Sequence, residues 1–224
     1  MSNQFLDLVS SPLMNLDHTY RYSGTKLVEA ESLSQHIVDT IMMGLKIIDE
    51  INYIANYRMI DPATYLIKAV CHDLEEVITG DIPRPLKYYN EQTLSSMKDV
   101  ADKVAKEFFD SQFHSSESYY AVWDRAKSGN EGYILKIVDT LVVASKVVKE
   151  VTLLNNMYML KVAHEVSSYL IELRESTNRN ARFLGPVQDY ILGLIDGAIR
   201  AMEDILEEHS SCLRNLNIYR QSMI

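Results

Sequence analysis

Leu33, Ile37, Ile41, Leu45, Ile48 and Ile51 recur at spacings of three and four. A helix can bury such a series on one face, whereas a strand would scatter it over two. The same rhythm returns in Leu94, Met97, Val100, Val104 and Phe108. With only 8 glycines and 5 prolines in 224 residues, few positions interrupt it. Asp61-Pro62 predicts a helix start, Asp as N-cap and Pro at the first helical position. That helix is expected to run to about residue 78, where Thr79-Gly80-Asp81, Pro83 and Pro85 end it and residues 79–90 form a loop. Further helices are expected at about 3–9, 32–56, 91–112, 117–127, 131–154 with Asn130 as cap, 157–176 and from Gly185-Pro186 to about 208. The expectation is an all-α chain, one domain over 1–224 with six or seven main helices.

A net charge of −9 argues against a broad nucleic-acid or anionic-membrane surface, both of which need clustered Lys and Arg. Residues 1–16 lack the basic and apolar regions of a targeting peptide, and no segment approaches the roughly 18 apolar residues of a membrane span. Cys71 and Cys212 make no disulfide framework, and reduced thiols fit a cytoplasmic setting.

The stretch Lys68-Ala69-Val70-Cys71-His72-Asp73-Leu74-Glu75-Glu76 sets polar groups into an apolar helix. Burying them is costly unless something neutralises or coordinates them. At helical spacing His72, Asp73 and Glu76 share one side, and Glu75 points away as a surface residue. Asp139 is a second anomaly, set among Ile137, Val138, Leu141, Val142 and Val143. A structural hydrogen bond or ion pair would explain it as well as a metal would. His36 alone reads as an ordinary core or boundary histidine. Together, His36, His72, Asp73 and Asp139 offer two imidazoles and two carboxylates from three helices, a set that suits Mn, Co, Fe, Ni or Zn better than Ca.

The pattern His36…His72-Asp73…Asp139 resembles the signature of the HD-domain metal-dependent phosphohydrolases. His72-Asp73-Leu74-Glu75-Glu76, Thr79-Gly80-Asp81, Pro83-Arg84-Pro85 and Lys87-Tyr88 resemble the bacterial 5′-deoxynucleotidase branch. Arg21-Tyr22 and Glu31-Ser32-Leu33-Ser34-Gln35-His36 are similar to that branch's Arg-Trp and E-N-V-S-E-H stretches, with Tyr22 standing where the branch has Trp. Ile137-Val138-Asp139-Thr140-Leu141 is similar to its A-D-A-L segment. The likeness covers about residues 18–155, and 156–224 match only as generic helices.

The resemblance implies an HD-domain helical bundle binding one divalent ion (Co, Mn, Fe, Ni, Zn or Mg) through His36, His72, Asp73 and Asp139. It implies Glu76 as the residue that orients or deprotonates water, Arg21 on phosphate, and Asp81 near the sugar where the branch excludes a 2′-hydroxyl. Tyr22 and Lys87 join the substrate contacts, and Tyr20, Tyr22, Tyr88 and Tyr89 are candidates to stack on base or sugar. The implied substrate is a deoxynucleoside 5′-monophosphate, with no nucleic-acid polymer or membrane as partner and a homo-oligomer, a dimer, as the assembly. The alternatives are a deoxynucleoside triphosphate triphosphohydrolase on the same site and a non-catalytic nucleotide-binding module. An alarmone hydrolase is disfavoured because Val77 stands where HDxxED ends in Asp.

Overall fold

Leu33, Ile37, Ile48 and Ile51 are buried on one side of a continuous helix, as their spacing requires. The protein is described by a computed structural model over residues 4–87, 89–179 and 181–210. Its α-helices are α1 (Gln4–Val9), α2 (Leu33–Ala55), α3 (Pro62–Cys71), α4 (Glu76–Thr79), α5 (Arg84–Lys87), α6 (Glu91–Gln112), α7 (Ser116–Asp124), α8 (Gly129–Val148), α9 (Leu160–Arg179), α10 (Ala181–Leu184) and α11 (Gln188–Glu208). Among the described residues there is no strand, only an isolated antiparallel bridge between Tyr20 and Ser32. No described helix is long and apolar enough to cross a membrane. Cys71 is buried, and Cys212 lies outside the described residues.

The chain divides into two compact units. The first comprises Met1–Gly24, Ala30–Leu45 and Asp61–Leu135. Leu33 and Ile37 of α2, Cys71, Leu74, and Ala105, Phe108 and Phe109 of α6 form its apolar cluster. Asp61 caps α3 as expected, its carboxylate accepting from the Thr64 N–H and hydroxyl. Asn90 caps α6 in the same way through the Thr93 N–H. Between α2 and α3 the approach is close: the Tyr65 ring is fully buried and its hydroxyl donates to the Thr40 carbonyl at 2.8 Å. A Cβ on Gly44 would fall 1.9 Å from that hydroxyl oxygen. Gly44 therefore sets the spacing between α2, which carries His36, and α3, which leads into His72.

Two expectations are corrected in this unit. The helix from Pro62 does not reach residue 78; α3 ends at Cys71 and four residues of turn precede α4. The Ala69 carbonyl, which would accept from the Asp73 N–H in a continuing helix, instead faces His72 Nδ1 at 2.7 Å. The backbone tightens to three-residue bonds, Glu76 N–H to the Asp73 carbonyl and Val77 N–H to that of Leu74. Residues 79–90 are not all loop either, since α5 forms one turn within them.

The second unit comprises Thr25–Glu29, Lys46–Ile60 and Lys136–Ile224. Here α9 and α11 pack together. They bury Leu160, Ala163, Val166, Leu170 and Leu173 from one, and Ile191, Ile195, Ile199, Met202 and Ile205 from the other, each series at helical spacing. The helix expected over 131–154 changes to π geometry at Lys149–Leu153. Within that turn the fully buried Glu150 carboxylate accepts from the N–H groups of Val28 and Glu29 at 2.9 Å and from Asn156 Nδ2 at 2.6 Å, and pairs with Lys146 at 3.1 Å.

Burial alone would push the Glu150 carboxyl up, but these donors outweigh it and hold it at about 2 against an ordinary 4.5. A depressed folded-state value adds stability above the unfolded value that is lost as pH falls toward the folded one. We expect Glu150→Gln to cost about 3 kcal/mol at neutral pH. In urea unfolding, the gap between wild type and variant should close between pH 4.5 and 2. A gap independent of pH over that range would show that the carboxylate charge is not what holds the turn.

Candidate metal centre

His36 lies in the first turns of α2, its N–H bonded to the Ser32 carbonyl, and is fully buried. Its Nδ1 is 3.6 Å from Glu31 Oε1 and its Nε2 3.8 Å from Asp73 Oδ2. His72 and Asp73, also buried, sit at the break after α3, where His72 Nε2 is 3.1 Å from the same Asp73 oxygen. The two imidazole centroids are 5.7 Å apart. Asp139 is half-buried on α8, one turn past Leu135. One donor atom from each of His36, His72, Asp73 and Asp139 lies within 4.8 Å of all the others.

The donor set fits a divalent ion on grounds of its own chemistry. A backbone carbonyl only accepts, so His72 Nδ1 carries the ring proton toward Ala69 and Nε2 presents its lone pair. That Nε2 is buried and makes no hydrogen bond. Asp73 Oδ2 lies within 4 Å of both imidazoles, so donors that would otherwise be desolvated together share a single focus.

Glu76 opens α4 with its Oε2 buried and making no hydrogen bond. Burial pushes its carboxyl well above the ordinary carboxylate value; the Asp73 charge adds to this, Arg21 opposes it, and Asp81 and Glu75 raise it further. Arg21 is thus a cation whose charge acts on Glu76. Its N–H bonds to the Glu31 carbonyl at 2.9 Å, and its guanidinium carbon stands 5.9 Å from the Tyr22 ring centre.

Tyr22 adopts φ +62°, a left-handed conformation unusual for a residue with a large side chain. Asp81 Oδ2 accepts from its N–H at 2.6 Å, while the Asp81 carbonyl accepts from the Ser23 hydroxyl. The structure therefore places Asp81 against the backbone of the Arg21-Tyr22 segment. Lys87 is exposed, and its charge acts on Glu75. Tyr20 and Tyr89 are exposed, and Tyr88 lies outside the described residues.

Glu75 corrects the surface role expected for it. It is half-buried, and its Oε2 accepts from the Trp123 indole N–H. Burial and then Asp73 push its carboxyl up to about 7, against the opposing effects of Trp123 and Lys87. The turn at 72–75 removes the helical register from which an outward direction was deduced. Glu31, buried beside His36, and Trp123 are neighbours to which sequence reasoning gave no role. Glu31 stood within the quoted Glu31-to-His36 stretch, whereas nothing local marks Trp123 as a partner of a residue 48 positions away.

The family model for YfbR-like 5′-deoxynucleotidases matches residues 9–184. The chain is similar to the 5′-deoxynucleotidase of Erwinia tasmaniensis, 29% identical over 136 residues that cover 59% of this chain and 67% of that protein. It is 26% identical over 137 residues to the 5′-deoxynucleotidase YfbR of Escherichia coli, with the same coverage. In fold it is similar to an HD-domain phosphohydrolase from Listeria innocua, with a TM-score of 0.68 at 19% identity, covering 92% of this chain and 98% of that one. A protein from Pyrococcus horikoshii gives a TM-score of 0.60 at 19% identity, covering 82% and 96%. With a family match that extends over most of its length, the chain belongs to the YfbR-like 5′-deoxynucleotidase family and is an enzyme of the metal-dependent phosphohydrolase class.

Proposed function

We propose that the protein hydrolyses deoxynucleoside 5′-monophosphates to deoxynucleoside and orthophosphate, with one divalent ion held by His36, His72, Asp73 and Asp139. The observation that carries this reading is the convergence of those four donors beside a buried Glu76 oxygen that makes no hydrogen bond. A divalent ion there would supply Lewis acidity to a phosphoryl oxygen and make water more acidic.

The chain's own residues do the rest. Glu76 Oε2, with no hydrogen bond to break, accepts the proton of the attacking water. Arg21 offsets the negative charge of the phosphate among the surrounding carboxylates. Asp81 acts through the Tyr22 N–H to hold the segment that presents Arg21 to the phosphate and the Tyr22 ring to the sugar.

The test is a panel of deoxynucleoside mono- and triphosphates and ribonucleoside monophosphates, assayed with Co or Mn and with the products identified. Orthophosphate from the deoxynucleoside monophosphates is expected, at higher kcat/KM than from the ribonucleotides. Pyrophosphate or triphosphate released from deoxynucleoside triphosphates, with monophosphates untouched, would replace this reading by a triphosphohydrolase.

A further inference from the structure

Glu76 stands on α4, a single turn of four residues that is too short to hold its own shape. The turn hangs from Glu75, whose carbonyl accepts from the Ile78 and Thr79 N–H groups, both at 3.0 Å. The Glu75 side chain does not cap the turn. It reaches away instead, and its Oε2 accepts from the indole N–H of Trp123 on α7.

The C-terminal end of α7 gives that bond a fixed support. Lys68 of α3 donates to the carbonyls of Arg125 and Ser128, just past the helix, at 3.0 and 2.6 Å. From the other side, the Tyr120 hydroxyl donates to Asp102 of α6, and the Tyr120 ring centre lies 5.7 Å from that of Trp123. Val122 and Trp123 also pack against the apolar cluster that includes Leu74, Phe108 and Phe109. The indole is thus braced from both α3 and α6.

The residues just before Glu75 have restraints of their own. His72 Nδ1 faces the Ala69 carbonyl at 2.7 Å, and Leu74, 4% exposed, is set into the cluster. Glu76 Oε2 makes no hydrogen bond, so its direction comes from the backbone that Glu75 anchors. From this geometry we infer that Trp123 is a positioning residue, which through its bond to Glu75 fixes the turn that aims Glu76 at the attacking water. The inference rests on the phosphatase reading above, in which Glu76 is the proton acceptor. Glu75 is not one of the four metal donors, so loosening it should misplace the base without removing the ion. Such a fault lowers kcat and leaves uniform substrate binding, and hence KM, in place.

The experiment uses the Mn-loaded full chain with 2′-deoxyadenosine 5′-monophosphate and with p-nitrophenyl phosphate. Trp123→Phe keeps an aromatic ring in the cluster and removes the N–H. Glu75→Leu removes the acceptor and keeps the test available if Trp123→Phe fails to fold. Each is expected to lower kcat by about 10–100-fold, with KM and Mn content unchanged. The double variant should be no slower than the slower single one, because both changes remove the same bond. Glu75→Gln retains an acceptor oxygen and should recover most of the rate lost in Glu75→Leu. Trp123 is the chain's single tryptophan, so its emission in the metal-free protein reads the bond without turnover. Glu75→Leu should shift that emission and Glu75→Gln should return it toward wild type. Unchanged kcat in the folded variants, a Gln variant as slow as the Leu variant, or an emission unmoved by Glu75→Leu would each overturn the proposal. If wild type cleaved only the aryl ester, the nucleotide reading would fail while the comparison of variants still decided the role of Trp123. Cleavage of neither ester would overturn both.

Discussion

Asp73→Asn is expected to abolish metal retention and to lower phosphate release by a thousandfold or more, on the order of the several kcal/mol that a bound ion contributes to phosphoryl transfer. Asp73 carries this weight because its Oδ2 lies 3.1 Å from one imidazole nitrogen and 3.8 Å from the other. An amide keeps the shape but presents a neutral oxygen. The metal-free protein should respond in the opposite direction. The Asp73 charge helps raise both Glu75 and Glu76, so without an ion the site holds mutually repelling carboxylates. Removing one charge should raise the melting temperature of the chelated protein.

Added Mn, at about a hundredfold over its Kd, should stabilise wild type by about 2.7 kcal/mol. That is roughly 5–10 °C for a chain of this size. The variant should show no such shift. Equal metal content in variant and wild type, measured by elemental analysis, would show that the ion is held elsewhere.

Local patterns made much of this architecture readable from the sequence. The Leu33-to-Ile51 series specifies one buried face whatever it packs against, and Asp61-Pro62 specifies a helix start through contacts within four residues. The four donors were legible as a set because two imidazoles and two carboxylates at apolar positions have few inexpensive explanations. What escaped depends on contacts that no local pattern encodes. The end of α3 at Cys71 follows from a ring nitrogen meeting a carbonyl three residues back, against strong helical spacing. The direction of Glu75 follows from that break and from Trp123. Glu150 gathers donors more than 120 residues away, so in the sequence it is simply one glutamate near the end of a helix. Likewise, Gly44 becomes necessary only once Tyr65 lies across it.

Glu76→Gln separates the proton acceptor from the metal site. The substitution preserves size and leaves His36, His72, Asp73 and Asp139 in place, so metal content should stay at the wild-type level. Hydrolysis should fall by about 10²–10⁴-fold, the usual contribution of a positioned general base. In wild type, activity should decline as pH falls through the Glu76 value, because the protonated acid cannot accept. In the variant this acid limb should vanish from the residual rate.

Stability supplies an independent sign. Burial and then Asp73 raise the Glu76 carboxyl above its unfolded-state value. A raised group contributes stability that is complete below the unfolded pKa and is lost as pH rises through the folded one. At pH values above both, the ionised Glu76 therefore weakens the metal-free fold, and Glu76→Gln should raise its melting temperature even as activity disappears. A residue retained for packing or hydrogen bonding would lose stability on substitution. A destabilised variant with near-normal turnover would remove Glu76 from the reaction and return the search for the base to Glu75, whose carboxylate is engaged by Trp123.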